Sequence, residues 1–266
     1  MMISVVMRLS EKHVQNKTAM LAVNYVVCCA VAMLVGGSLE LFPRVEGLAM
    51  GVGLGAINGI LFLAGFMLLQ WNISRNGVVL PATFMKLGVL VPTIMAITVF
   101  GEKPGAAQIA GIVAAIAAII LIQGGGKQEA GSSLGLIILL LCGGSADAMS
   151  KIYEEIGPGA LREQFLLYTF ATALILCIVI CAFKRQRIAP ADLIFGALVS
   201  IPNYLSTRFL LLAVGEIPAV VAYPSYSVGT IIMVTLAGLI FFKEKLSRRK
   251  LLALGIILAA LALLNL

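Results

Sequence analysis

Apolar residues in this chain run almost without interruption for about 20 positions at a time, the length an α-helix needs to cross the ~30 Å hydrocarbon layer of a bilayer. The runs recur near 18–36, 47–69, 78–99, 104–123, 132–153, 163–183, 193–214, 217–241 and 248–266, after a stub at 1–10. Short gaps between them carry most of the charge. With 61% of its 266 residues apolar and 12% charged, against roughly 25% charged in an ordinary soluble domain, the chain cannot be a water-soluble fold. It reads as an all-α polytopic membrane protein with nine full spans and an N-terminal stub, and any function has to be built between helices.

The net charge of +7 does not point to nucleic acid, because the basic residues sit in the gaps, where they set orientation. Of the 19 Lys and Arg, 13 fall after the stub and after alternate spans, among them Lys12, Lys17, Arg75, Lys184 and Arg248, and 4 (Arg44, Lys103, Lys151, Arg162) fall in the opposite gaps. The richer side is expected to be cytoplasmic, which puts the loop around Lys17 inside and Leu266 outside. The remaining two, Lys86 and Arg208, lie within spans. All five cysteines lie in apolar runs and read as packing residues. Cys177 and Cys181 share a helix face, but no carboxylate or histidine joins them, so no metal and no cofactor is expected.

Gly124-Gly125-Gly126-Lys127-Gln128-Glu129 is the most linker-like stretch and divides the chain near its middle. Sliding the second half over the first at an offset of 143 brings Arg8 onto Lys151, Glu11 onto Glu154, Tyr25 onto Tyr168 and Pro81 onto Pro224. After a one-residue gap, Phe100, Glu102 and Lys103 fall on Phe242, Glu244 and Lys245. Spans keep the same spacing, which predicts a tandem repeat, 1–125 and 131–266. By the same arithmetic the span that opens the second half, 132–153, has a partner of which residues 1–10 are the end. The expectation is five spans per half, with about a dozen apolar codons upstream and Met1-Met2 an internal start.

These features resemble the drug/metabolite transporter superfamily and, within it, the EamA-like ten-helix branch. The resemblance is carried by Phe100-Gly101-Glu102-Lys103 followed by Gln108 and Gly111, and by Phe242-Lys243-Glu244-Lys245-Leu246-Ser247 followed by Gly255. They look like the glutamate-centred motif that joins the fourth and fifth helices of each repeat in that family. Two departures stand out: Ala253 replaces the usual glycine of the second motif, and most of the first helix is absent. The resemblance implies a multi-pass protein of a bacterial cell membrane that exports amino acids, other metabolites or drugs. It also implies a C-terminus kept inside, against the charge count. Physically, Glu102 and Glu244 precede helix starts marked by Pro104 and Ser247, where an acid meets the positive end of the helix dipole, so both read as structural. Gly51, Gly55 and Gly59, like Ala110, Ala114 and Ala118, form small-residue stripes for close helix packing, not a phosphate loop.

A charge at membrane depth costs ~2.5–3.5 kcal/mol even on the lenient insertion scale, so each one needs a reason. Lys86 is the ninth residue of its span, ~12 Å in at 1.5 Å per residue, too deep to snorkel comfortably, with Thr83 and Thr93 on its side of the helix. It reads as a pocket residue or as half of a buried ion pair. Arg208 either snorkels or lines a pocket with Ser200, Asn203, Tyr204, Ser206 and Thr207. Tyr223, Tyr226, Ser227 and Thr230 repeat that polar face on the next span, where Pro224 can free a backbone carbonyl toward a cavity. Asp147 either pairs locally with Lys151 at i+4 or pairs with Lys86 and carries a coupling proton. Asn58, Asn24, Tyr25 and Tyr168 are polar residues neutral enough to bridge helices, and His13 reads as solvated.

The expected function is secondary transport of a small metabolite by alternating access, with Lys86, Arg208, Tyr204, Asn203, Tyr226 and Asn58 binding the substrate and Asp147 coupling it. Two cations against one acid favour a substrate bearing a carboxylate or phosphate. A lipid-carrier flippase shares this physics and would need a groove open to lipid. An integral membrane enzyme is the weaker rival, since it would need paired carboxylates, His with Cys, or Ser with a base at membrane depth, and the runs contain none of these.

Overall fold

Lipid leaves a backbone nowhere to bond but within its own helix, and the apolar runs fold accordingly. The computed structural model describes all residues except 1, 37–39, 100–104, 124–129, 185–186, 217–218, 244–247 and 265–266. Among the described residues the chain is helical, without strands: α1 Met2–Ser10, α2 Lys17–Val35, α3 Leu48–Asn76, α4 Val79–Leu87, α5 Leu90–Thr98, α6 Ala106–Gln123, α7 Ala130–Ile156, α8 Arg162–Lys184, α9 Pro190–Glu216, α10 Ala219–Ile240 and α11 Arg248–Leu264. A 3₁₀ turn, Gly159–Leu161, precedes α8. Five of these helices, α2, α3, α7, α8 and α9, are long and apolar enough to cross a membrane, and the protein is a multi-pass membrane protein. Glu102, Lys103, Glu244 and Lys245 lie outside the described residues.

One expected span is two helices. The run 78–99 breaks at Gly88-Val89 into α4 and α5. Pro92 has no N–H to give the Gly88 carbonyl, and Val91 N–H bonds that carbonyl instead at 2.8 Å, so the backbone tightens into i→i+3 bonds at the join. The break is locked from outside. A Cβ on Gly88 would sit 2.6 Å from the Gly144 nitrogen, and one on Gly144 would sit 2.2 Å from the Gly88 carbonyl oxygen. The α4–α5 join therefore rests backbone to backbone on the middle of α7. Glycine is required on both sides.

The same device joins other helices. Cβ atoms on Gly55 and Gly59 would fall 2.6 Å from Tyr168 Cβ and 2.5 Å from the Thr169 carbonyl, so these two members of the glycine stripe seat α3 on α8. Gly196 brings α9 equally close to the Met20 carbonyl of α2. One apolar cluster lies among α2, α3, α8 and α9 around Tyr25, Phe66, Phe170 and Tyr204, and a second among α4, α6, α10 and α11. Leu, Ile and Phe left exposed on the outer faces, such as Ile175, Phe209 and Leu252, are suited to lipid.

Polar contacts gather the connections at two ends. At one end the buried Asp192, in the first turn of α9, accepts the backbone N–H groups of Gln15, Asn16 and Ala189, and Arg8 bonds the Ile73 carbonyl. This end holds the α1–α2, α3–α4 and α8–α9 connections. At the other end Tyr168 donates to the Leu41 carbonyl at 2.8 Å and Gly47 packs on Pro158, bringing together the α2–α3 and α7–α8 connections.

Candidate functional site

Because Gly88 fixes α4 against Gly144, Lys86 on α4 and Asp147, three residues past Gly144 on α7, are carried to one place. Both line a cavity of about 80 Å³ between the helices. Asn203, Ser206 and Thr207 of α9, Ser150 of α7 and Tyr226 and Thr230 of α10 add polar surface. Leu61, Phe62, Phe66 and Leu69 of α3 make an apolar wall. Ile3 and Ser4 of α1 reach it as well.

Lys86 Nζ lies over the Tyr226 ring, 4.2 Å from its centroid, a cation–π contact of the kind worth ~0.5–2 kcal/mol. The ion pairs formed among the described residues are Arg8–Glu11, Lys151–Glu155, Arg162–Glu154 and Arg208–Glu163. Lys86 and Asp147 are in none of them. They share the cavity as two opposite charges without direct contact, and the Asp147 backbone carbonyl accepts from Tyr223 at 2.7 Å. Lys151, the i+4 neighbour of Asp147, meets Glu155 at 2.5 Å.

Of the residues expected to bind substrate, the cavity gathers Lys86, Asn203 and Tyr226, together with Asp147. The other three stand apart from its lining. Arg208 forks onto Glu163, Nε to Oε1 at 3.0 Å and to Oε2 at 3.3 Å, with Nη2 at 2.8 Å from Oε1. Its charge is matched there by a carboxylate of the first turn of α8. Tyr204, one turn before Arg208, is fully buried and packs against Phe170. Asn58 donates from Nδ2 to Thr169 Oγ1 at 3.3 Å and bridges α3 to α8. Thr83 and Thr93 bond carbonyls of their own helix, Val79 and Val89, and leave Lys86 without their hydroxyls.

Sequence reasoning missed Ser150, the Phe62–Phe66 wall and Glu163. Ser150 stands three residues after Asp147, so the helix period points to it. Phe62 and Phe66 look like any lipid-facing pair in an apolar run. Glu163 sits 45 residues from Arg208, and nothing local links them.

Comparison with known proteins finds three likenesses. The chain is 24% identical over 212 residues to an uncharacterized protein of Haemophilus influenzae, an alignment covering 77% of this chain and 72% of that one. A crystal structure shares its fold at a TM-score of 0.66 and 14% identity, covering 99% of this chain and 93% of the other. Residues 166–257, from α8 into α11, match the model of the Small Multidrug Resistance protein family, so this part of the chain is similar to a family of small membrane transporters.

Proposed function

We propose that the protein is a secondary transporter of the ten-helix, EamA-like kind, which exports a small charged metabolite by alternating access around the Lys86–Asp147 cavity. The observation that carries this reading is Lys86 and Asp147, two opposite charges, lining one cavity of about 80 Å³ without closing an ion pair. Charges at this depth are costly, and these two are not among the ion pairs formed by the described residues. A passing substrate supplies what is missing. The match of 166–257 to a transporter family supports the class.

With Arg208 matched by Glu163, the charge balance of the cavity differs from the one that composition suggested. Lys86 faces a carboxylate or phosphate of the substrate, and Asp147 offsets the excess of positive charge. The best fit is a molecule that carries an anionic group and an ammonium together, with an apolar part against Phe62 and Phe66. When the site is empty, Asp147 is the group suited to take up a coupling proton. The 1–125 and 131–266 repeats supply the moving halves. Their packing supports a two-fold relation, since α2 lies on α9 while α3 lies on α8, and the 143-residue offset carries α2 to α8 and α3 to α9.

The test is uptake into proteoliposomes by the purified chain, comparing zwitterionic amino acids, the matching amine-free acids and the matching acid-free amines, each with and without an inward proton gradient. Zwitterions should enter fastest and respond to the gradient. Preference for hydrophobic cations would overturn the reading.

A further inference from the structure

The hydroxyl-bearing side chains that line the cavity are not equivalent. Ser206 and Thr207 of α9 both donate to the Asn203 carbonyl, at 3.1 and 2.9 Å, and Thr230 of α10 donates to the Tyr226 carbonyl at 2.8 Å. These three protons are turned back on their own helices. Tyr226 presents the face of its ring to Lys86. Ser4 of α1 and Ser150 of α7 are left. Both line the cavity and are buried, at 7% and 4% of full exposure, and neither hydroxyl forms a hydrogen bond among the described residues.

Buried hydroxyls are hydrogen-bonded as a rule, and two that line one cavity without a protein partner point to a ligand that enters it. Their positions say which part of the ligand each meets. Ser150 stands three residues after Asp147, so the two share a face of α7, and both line the cavity. A hydroxyl beside a carboxylate can accept from the same ammonium. Ser4 comes from the other half of the chain. The 143-residue offset carries Ile3 onto Ala146 and Ser4 onto Asp147, and all four residues line the cavity. The position that holds an acid in α7 thus holds a neutral hydroxyl in α1. With serine there, Asp147 is the one carboxylate among the described residues of the lining, set against one lysine.

We propose that Ser150 and Ser4 are the neutral contacts of the substrate site. Ser150 accepts, with Asp147, from the substrate's ammonium. Ser4 stands where the acid would be repeated and limits the site to one ammonium. The substrate class that follows is a small monoamine zwitterion, and diamines are excluded by charge. These roles rest on the reading of the cavity as a transport site.

Calorimetric titration of the purified chain in detergent with L-alanine, ethylamine, propionate and ethylenediamine tests both roles. Native protein should bind L-alanine most tightly. Ser150→Ala should weaken L-alanine and ethylamine about tenfold, the loss expected for one hydrogen bond to a charged group, and leave propionate unchanged. Ser206→Ala, which removes a hydroxyl already bonded to its own helix, should cost at most about twofold. Ser4→Asp should raise the affinity for ethylenediamine about tenfold relative to L-alanine, whereas Ser4→Asn, of the same size without the charge, should not. The exchanged pair Ser4→Asp with Asp147→Ser keeps a single acid and should again prefer L-alanine; it decides the point if Ser4→Asp alone does not fold, loss of that preference counting against the proposal. Equal losses in Ser150→Ala and Ser206→Ala, or an unchanged diamine preference in folded Ser4→Asp, would overturn these roles while native binding of L-alanine leaves the transport site standing. Native preference for ethylamine over L-alanine, with Ser150→Ala still weakening the amine, would sink the zwitterion reading alone, and binding of none of the four would remove both.

Discussion

Tyr226 does for Lys86 part of what water does at a surface, offering the face of its ring to an ammonium that has no carboxylate within ion-pair distance. Tyr226→Leu should therefore weaken substrate binding by about twofold to thirtyfold, in line with a contact of ~0.5–2 kcal/mol, whereas Tyr226→Phe keeps the ring and most of the affinity. Equilibrium binding of the zwitterion that the uptake panel selects would separate the two. Asp192 works differently. It is fully buried and accepts three backbone N–H groups, those of Gln15, Asn16 and Ala189, so Asp192→Ala leaves all three unsatisfied. Orphaned donors cost ~1–3 kcal/mol each, and the variant should show a clearly lowered Tm in a thermal-unfolding assay in detergent. An unchanged Tm would mean that water replaces the carboxylate.

At the scale of helices, the α4–α5 break and its seat on α7 decide where Lys86 stands. Gly144→Val would push a side chain into the Gly88 carbonyl, where a Cβ is already only 2.2 Å away. The variant should insert and yet lose transport, because α4 must move off α7 and carry Lys86 away from Asp147. Limited proteolysis and uptake together would check this. Periodic apolar length made α2, α3, α7, α8 and α9 legible in the sequence to within a few residues, apart from α3, which runs on past 69 to Asn76. The break at Gly88 was not legible, although Pro92 stands four residues after it, because proline is tolerated inside membrane helices. The decision rests on Gly144, which is far away in sequence. Arg208 shows the same limit: its polar stripe was visible, but the carboxylate that meets it, Glu163, comes from the first turn of a helix 45 residues away in sequence. Lys86, Asp147, Asn203 and Tyr226 could be singled out because a charge, an amide or a phenol in an apolar run stands out against its surroundings.

For the molecule as a whole, the turn that Asp192 clamps at Gln15-Asn16 belongs to the set of gaps rich in Lys and Arg, and the positive-inside rule predicts that this end faces the cytoplasm. A reporter active only in the cytoplasm, fused after Leu266, should then stay dark, and a fluorescent fusion would reverse the orientation. The central claim is that Lys86 meets the substrate inside the cavity, and uptake by Lys86→Met in proteoliposomes tests it most directly. Removing a buried charge that closes no ion pair relieves a desolvation cost, so the variant should express and insert while uptake is abolished, with Lys86→Arg retaining at most part of it. Uptake by Lys86→Met at the native rate, or misfolding that Asp147→Asn repairs, would contradict the account and make the lysine half of a structural pair.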